Sequence, residues 1–200
     1  DVQHGSQASV TLLIRNLGGE PLEIGAVNLS QSDFLDISDI RGLPGRLDPG
    51  ASVDFDVVFN PPYDVHLESE LTVSSSDPER PEVQVAIVGE GHAPTLRIEP
   101  DNFQFGTGVV GCDETLEVTL TNVGRAPLVL DEVTLTEDTG GQTFSLELEP
   151  TLGTEIAPGE SVSSRIRWVS DDHLPDSASL QVRSNDPQGD KTATFAGSSL

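Results

Sequence analysis

The chain has 200 residues, of which 35% are hydrophobic and 22% are charged. This hydrophobic share is enough for a packed core and excludes a wholly disordered chain, and no run of about twenty apolar residues is present that would span a bilayer. Asp and Glu number 34 against ten Lys and Arg, so the formal net charge is −24. Because such a surface repels phosphates and anionic lipids, we expect neither nucleic-acid binding nor membrane insertion.

The same motifs occur twice along the chain, in the same order. The first, Asn-x-Gly-x-x-Pro-Leu, occupies residues 16–22 and recurs at 122–128. Pro-Gly-x-Ser-Val follows at 49–53 and 158–162, and Ser-x-Asp-Pro at 75–78 and 184–187. Gly89 and Gly197 end the two copies. A repeat of roughly a hundred residues predicts two tandem domains, 1–91 and 92–200.

Within each copy the apolar residues follow the two-residue period of a β-strand. Val53, Phe55, Val57 and Phe59 lie two positions apart, with Asp54 and Asp56 between them. Gly and Pro interrupt such runs about every eight to twelve residues, and no stretch keeps a helical period. The pattern predicts an all-β fold of two tandem immunoglobulin-like antiparallel β-sandwiches, each of about seven strands.

The punctuating residues between the runs are typical of turns. Asn16 and Asn122 are each followed two residues later by glycine, which favours a tight turn with positive φ. The Pro-Gly pairs at 49–50 and 158–159 predict type II turns, and the Asp-Pro pairs at 77–78 and 186–187 predict turns that begin at Asp. We interpret all of these residues as structural.

Together these motifs resemble the ASPM–SPD-2–Hydin (ASH) domains and the related bacterial choice-of-anchor D domains. The second copy adds Leu-Arg-Ile-Glu-Pro at 96–100, Phe-Gln-Phe-Gly at 103–106 and Val-Val-Gly at 109–111, which are similar to the opening strand and signature of that family. The resemblance extends over both copies. It implies β-sandwiches without catalytic residues, which occur in ciliary and centrosomal proteins or in large secreted or surface-anchored bacterial proteins.

The composition favours the bacterial, extracellular branch of that family. Methionine is absent and Lys191 is the one lysine. A surface that binds microtubules would be basic, because microtubules are acidic. We therefore expect an extracellular or cell-surface location.

Equivalent residues at the start of the two copies are 106 positions apart, as Asn16 and Asn122 are. The part that corresponds to residues 95–105 would therefore fall before residue 1, so the first copy lacks it in this sequence. Two interpretations remain open. Either the segment was cut from within a longer chain, or a partner supplies the strand by β-augmentation. In the second case the chain would be an assembly subunit, since such head-to-tail contacts propagate into filaments. Residues 90–94, which contain a proline, are expected to link the domains with limited bending.

No catalytic, cofactor-binding or metal-binding residues are predicted, and we do not expect an enzyme. His4, His66, His92 and His173 are far apart, and neither a metalloprotease motif nor a nucleophile elbow is present. Ca²⁺ remains a possible ligand of the acidic stretches, which are otherwise solvated loops. These stretches are Asp33, Asp36 and Asp39, then Asp171, Asp172 and Asp176, and around the junction Glu90, Glu99 and Asp101.

Two single residues have alternative interpretations. Cys112 is the one cysteine, so it is either a buried structural thiol or a link to a partner. Tyr63 follows two prolines and is the plausible exposed aromatic residue of a carbohydrate-binding face. The other aromatic residues on strand patterns are predicted to lie in the cores: Phe55, Phe59, Phe105, Phe195 and Trp168.

These observations predict a non-catalytic structural or adhesive module of a secreted or cell-surface bacterial protein, which acts as a rigid tandem spacer and interaction domain. Its expected partners are proteins, either further copies of itself or neighbouring domains of a longer array, with a donated β-strand as one means of contact. The alternatives are an extracellular filament subunit completed by donor-strand exchange and a ligand- or carbohydrate-binding module.

Overall fold

Every regular element of the computed structural model is a β-strand, within the residues it describes: 1–38, 42–138 and 142–200. The chain divides into two compact units, Asp1–His92 and Ala93–Leu200. Each unit consists of two sheets, so the predicted fold class of immunoglobulin-like β-sandwiches is confirmed. In these described ranges, no helix has the length and hydropathy needed to cross a bilayer.

The first unit contains eight strands among its described residues. They are β1 (Val2–Gln3), β2 (Ala8–Arg15), β3 (Leu22–Leu29), β4 (Leu35–Ser38), β5 (Gly45–Leu47), β6 (Ser52–Phe59), β7 (Val65–Ser75) and β8 (Glu82–His92). One sheet has the order β1-β8-β7-β3-β5 and the other the order β2-β6-β4. The pairs are antiparallel except β1 with β8, which is parallel.

The second unit has nine strands in its described part. They are β9 (Leu96–Glu99), β10 (Asn102–Gly108), β11 (Asp113–Asn122), β12 (Leu128–Glu137), β13 (Phe144–Leu148), β14 (Glu155–Ile156), β15 (Ser161–Val169), β16 (Asp176–Ser184) and β17 (Lys191–Ser199). Its sheets have the orders β10-β17-β16-β12-β14 and β13-β15-β11-β9. Strands with matching motifs take matching places in the two units, except that the described residues of the first unit contain no counterpart of β9.

The two-residue period of β6 places one row of its side chains in the first core. Phe55, Val57 and Phe59 are buried, while Asp54 lies on the solvated face. Such alternation is what a strand with one face on a core requires. The five aromatic residues predicted to be buried are all buried in the structure.

The second core is built around Trp168, which is completely buried. Its ring centroid lies 5.6 Å from that of Phe105 and 6.5 Å from that of Phe144. Its Nε1 donates a hydrogen bond of 3.0 Å to Asp176 Oδ2. Strand β17 passes directly over this ring at Gly197, where a Cβ atom would lie 2.5 Å from Trp168 Cε2. Only glycine fits there without displacing the ring.

One of the turn predictions is confirmed by the structure and another is wrong. Gly50 and Gly159 have φ values of 82° and 81°, so the positive φ that a type II turn requires is confirmed. Gly124 is not among the positive-φ residues, so the expectation for the Asn-x-Gly turns was wrong. Gly124 is needed for space instead, because a Cβ atom there would collide with the backbone oxygen of Ala93.

Candidate interaction surface

The two units differ most at one edge of their smaller sheet. In the second unit, β11 lies between β15 and β9, and it pairs with β9 from Thr119 to Asn122. In the first unit, the corresponding strand β2 pairs with β6, and it has no second partner among the described residues. One side of β2 therefore presents free backbone N–H and C=O groups, which is the ordinary template for adding a strand.

The side chains beneath this edge are also less covered in the first unit. Val118 and Leu120 of β11 are 0% exposed. Leu12 and Ile14 occupy the same places in β2 but are only half-buried. Since the sequence pattern is the same, the difference comes from what lies on top of the two strands.

In the second unit the covering residues belong to β9 and β10. Leu96, Ile98 and Phe105 are buried members of the second core, with Phe103 packed against it. Phe103 and Phe105 meet edge to face, with centroids 5.0 Å apart. An opening segment of two short strands thus completes this sandwich with four apolar side chains.

The first unit has a groove of about 590 Å³ on the side where β2 lacks a partner. We call it the strand groove. Its apolar lining includes Leu12, Ile14, Phe55, Leu71, Val73 and Val85. Val85 is 36% exposed, whereas Ala193, at the same place in β17, is 0% exposed. The groove therefore reaches into the first core from the gap between β2 and β8.

A buried asparagine at one end of β11 holds the opening segment of the second unit. Asn122 Nδ2 donates to the carbonyl oxygens of Ala126 and Ile156, and its Oδ1 accepts from Gly124 N and, at 3.4 Å, from Thr95 N. The equivalent Asn16 is buried in the same way.

Asn16 Nδ2 donates to the carbonyl oxygens of Glu20 and Leu47, and its Oδ1 accepts from Gly18 N at 2.9 Å. Asn16 also lines the strand groove. The contact that Thr95 makes in the second unit has no counterpart among the described residues of the first. A preoriented carbonyl-type acceptor therefore lies at one end of the groove.

An aspartate supplies a second acceptor for the opening segment. Asp186 Oδ2 accepts a hydrogen bond of 2.9 Å from Leu96 N, while its Oδ1 accepts from Gln188 N. Asp186 is almost fully buried, and Lys191 Nζ lies 3.6 Å from the same Oδ2. This carboxylate connects the turn before β17 with the first residue of β9.

Asp77 occupies the same turn in the first unit. Its Oδ1 accepts from Glu79 N at 2.9 Å and from Arg80 N at 3.2 Å, and its own N donates to Ser75 Oγ. Within the described residues, Asp77 Oδ2 has no hydrogen-bond donor that corresponds to Leu96 N. Asp77 also lines the strand groove, so this second acceptor is available to an occupant.

The start of the chain contributes a small part of the larger sheet. Val2 and Gln3 pair with Gly91 and His92, just as the end of β10 pairs with the end of β17. These two residues correspond to 108 and 109, which lie outside the range 95–105 that the first copy is predicted to lack. The expectation of a linker over residues 90–94 is corrected, since residues 90–92 are part of β8.

Two of the histidines are linked through the backbone, since His4 N donates a hydrogen bond of 2.8 Å to the carbonyl oxygen of His92. His66 lies on β7 and contacts two carboxylates, with Nδ1 at 2.5 Å from Glu90 Oε1 and Nε2 at 3.2 Å from Glu68 Oε1. Its hydrogen bond to Glu90, followed by that to Glu68, raises the pKa of His66 above its ordinary value of 6.5. His92 lies 4.0 Å from Asp1 at the end of β8.

The acidic stretches are dispersed by the fold. Asp36 lies in β4, whereas Asp33 precedes that strand and Asp39 is outside the described residues. Asp176 is buried beneath Trp168, and Asp172 accepts from Leu174 N in a turn. In the described part of the chain, no three His, Cys, Asp or Glu side chains are grouped to hold a metal. The Ca²⁺ hypothesis therefore gains no support from these residues.

Cys112 and Tyr63 are both half-buried. Cys112 is a free thiol whose Sγ lies 3.6 Å from Glu114 Oε1. Because it is only half-buried, it is not the buried structural thiol of one interpretation. Tyr63 packs edge to face on Phe34, with centroids 5.4 Å apart. The expectation of an exposed Tyr63 was wrong, because one edge of the ring is covered.

Sequence reasoning missed the residues that hold the opening segment. Asn122 and Asp186 had been interpreted as turn residues only, although each also accepts a backbone N–H of that segment. The repeat contained the signal, because both residues have equivalents in a copy where residues 95–105 have no counterpart.

Comparison with solved structures gives weak overall similarity. A protein of unknown function from Porphyromonas gingivalis is 17% identical with a TM-score of 0.43, and the match covers 98% of this chain and 93% of that one. The VesB protease of Vibrio cholerae is 18% identical with a TM-score of 0.41, over 52% of this chain and 31% of the protease. The ASH/PapD-like domain 7 of human CEP192 is 10% identical with a TM-score of 0.41, over 52% and 84%.

Comparison with curated proteins found no match. A family model does match, over residues 94–198, and it describes the HYDIN/CFA65/VesB-like Ig-like domain. Its range contains the whole of β9 to β16 and nearly all of β17. Since this match spans more than half of the chain, the protein belongs to the HYDIN/CFA65/VesB-like Ig-like domain family.

Proposed function

We propose that the chain is a non-catalytic interaction and spacer module of a secreted or cell-surface bacterial protein. The observation that carries this proposal is the strand groove of the first unit, where a backbone edge and an apolar floor lie side by side. Such a combination is a means of binding another polypeptide. A fold does not by itself determine a function, so the proposal rests on this surface.

The surface charge supports an extracellular setting. A net charge of −24 with a single lysine keeps tandem modules soluble and limits their nonspecific association. The second unit corresponds to the matched family over nearly its whole length. The first unit repeats its motifs and strand order, and we propose that it is a second copy of the same domain.

The buried carboxylates support a structural role. Asp176 accepts from the Trp168 ring, and Asp186 accepts from two backbone amides. His66 contacts the carboxylates of Glu90 and Glu68. Each of these side chains has a hydrogen-bond partner within the fold. Their contacts differ from the pairing of a histidine with a nucleophile that a hydrolase requires.

A filament subunit completed by donor-strand exchange is the second candidate, because the same groove would receive a strand from the next copy. Light scattering on the 21.2 kDa chain separates the two. We expect a monomer over the micromolar range, in low salt and at about 0.5 M salt, where charge repulsion is screened. A mass that grows with concentration would favour the filament subunit.

The proposed function itself is tested by a search for activity. Incubation with panels of ester, peptide and glycoside substrates is expected to give no turnover. Hydrolysis that is lost in His66→Ala, with the fold retained by circular dichroism, would overturn the proposal. Carbohydrate binding, tested on a glycan array with Tyr63→Ala as the control variant, is expected to be undetectable.

A further inference from the structure

We propose that the second unit bears tension along the chain through a shear clamp. The clamp consists of two strand pairs, β10 with β17 and β9 with β11. A pull on the two ends of the unit would slide these strands lengthwise past each other and would load their hydrogen bonds together. This load-bearing role goes beyond the proposed function and concerns the second unit alone.

The first argument is where the chain enters and leaves this unit. Leu96 N donates a hydrogen bond to Asp186, in the turn that precedes β17, so the chain enters beside the start of that strand. At the other end, Leu200 N donates to the carbonyl oxygen of Gly108, the last residue of β10. The entry and the exit are therefore separated by the length of β17, whose nine residues extend about 30 Å, and a pull between them acts along the strands.

The second argument is the relative direction of β10 and β17. The two strands are parallel, with Asn102 opposite Thr194 and Gly108 opposite Ser199. Tension pulls β10 by its first residue and β17 by its last, which are opposite directions along their common axis. Because the hydrogen bonds of a parallel pair are spaced along the strands, they share this load, and none of them can open ahead of the others from one end.

The third argument is that both sheets hold the opening segment of the unit. Before it reaches β10, the chain passes through β9, which pairs with β11 from Leu96 opposite Asn122 to Glu99 opposite Thr119. Leu96 and Ile98 are 3% and 6% exposed, so sliding β9 would also draw two apolar side chains out of the core. Strand pairs in both sheets must therefore yield before the unit unfolds.

Two further contacts fasten β10 to β17 where the tension arrives. Asn102 Nδ2 donates to Thr194 Oγ1 at 2.9 Å, and Thr194 N donates to the carbonyl oxygen of Asp101 at 2.9 Å. Forced unfolding is governed by the barrier to unfolding and not by the equilibrium stability. The clamp therefore predicts a resistance to force that depends on the direction of pulling.

The test is single-molecule force spectroscopy on the whole 200-residue chain, held by handles at residues 1 and 200. Cys112→Ser is included so that thiol handles attach only where they are intended. Unfolding of the second unit lengthens the chain by roughly 340 Å and unfolding of the first by roughly 280 Å, which assigns each event to its unit. We expect the second unit to unfold in one step, without an earlier release of its opening segment.

The matched control changes the direction of the force and leaves the sequence almost unchanged. Val109 is 72% exposed and directly follows β10, so Val109→Cys, again with Cys112→Ser, places a handle beside residue 200. A pull between these two positions separates β10 from β17 at one end, and their pairs then break one after another. We expect the second unit to yield at less than about half the force in this geometry, because its strand pairs no longer share the load. Trp168 fluorescence in urea checks that both chains have the same midpoint.

Two results would overturn the inference. One is an unfolding force between residues 109 and 200 that is half or more of the force between residues 1 and 200. The other is a first, smaller step at low force in which the opening segment detaches before the remainder of the second unit unfolds. Neither result affects the proposed function, which fails on the histidine-dependent hydrolysis described above, so the two failures are distinguishable.

Discussion

Gly197→Ala is the substitution whose cost the structure specifies most closely. The added methyl group would lie 2.5, 2.6 and 2.9 Å from Cε2, Cζ2 and Cδ2 of Trp168, so the ring or the strand must move. The ring has little freedom, because Phe105 and Phe144 pack on it and Asp176 accepts from its Nε1. Overpacking of this kind costs about 1–3 kcal/mol.

A ring shift that breaks the bond to Asp176 would add about 1–3 kcal/mol for the unpaired buried carboxylate. We therefore expect the free energy of unfolding of the second unit to fall by roughly 2–6 kcal/mol, with an unchanged urea m-value. Trp168 is the only tryptophan, so its fluorescence reports this transition directly.

Two glycines of the first unit serve as comparisons, with its urea unfolding followed by circular dichroism because Trp168 lies in the second unit. At Gly89 an added Cβ would lie 2.9 Å from Phe59 Cζ, and at Gly19 nothing lies within 4 Å. The expected order of destabilisation is Gly197→Ala, then Gly89→Ala, with Gly19→Ala close to neutral. A Gly197→Ala chain with an unchanged midpoint would refute the packing described for Trp168.

The remaining predictions concern pH and the separate stability of the two units. Because the pKa of His66 is raised, its contacts stabilise the fold fully below about pH 6.5, and this effect is lost as the pH rises through the raised value. The urea midpoints of His66→Gln and of the original chain should therefore converge at pH 9. The bidentate contact of Arg167 lowers the pKa of Asp113 below 3.8. This pair therefore stabilises the fold above about pH 3.8, and the effect is lost as the pH falls further. In Arg167→Met, that part of the fall in urea midpoint at acid pH should be absent. Finally, circular dichroism should show the first unit unfolding at lower urea than the transition that Trp168 reports for the second unit. A single coincident transition would contradict the argument that the first core is less well covered.

Much of the fold follows from local sequence patterns. The alternation in β6 identifies its buried face, and the Pro-Gly turns have the φ values expected of them. The sequence predicts that Gly197 lies at the end of a strand, but it does not show why that position requires a glycine. That reason is a steric contact with Trp168, which is distant in sequence and invisible to local patterns.

The candidate site was predictable only through the repeat. Comparing the copies indicates that residues 95–105 have no counterpart in the first unit, but it does not show the groove or its acceptors. Asp77 and Asp186 were interpreted as turn residues because the Asp-Pro pair explains them locally. The second oxygen of Asp186 acts over a long sequence distance, because it accepts a hydrogen bond from Leu96 N.

The central claim is that β2 is an edge strand beside an open strand groove, and hydrogen–deuterium exchange tests it most directly. In an antiparallel strand every second N–H points away from its single partner. In the free monomeric chain, alternate amides of residues 8–15 should exchange rapidly, while the equivalent amides of Asp113–Asn122 that pair with β9 remain protected. Equal protection of both strands in the free monomer would contradict the account.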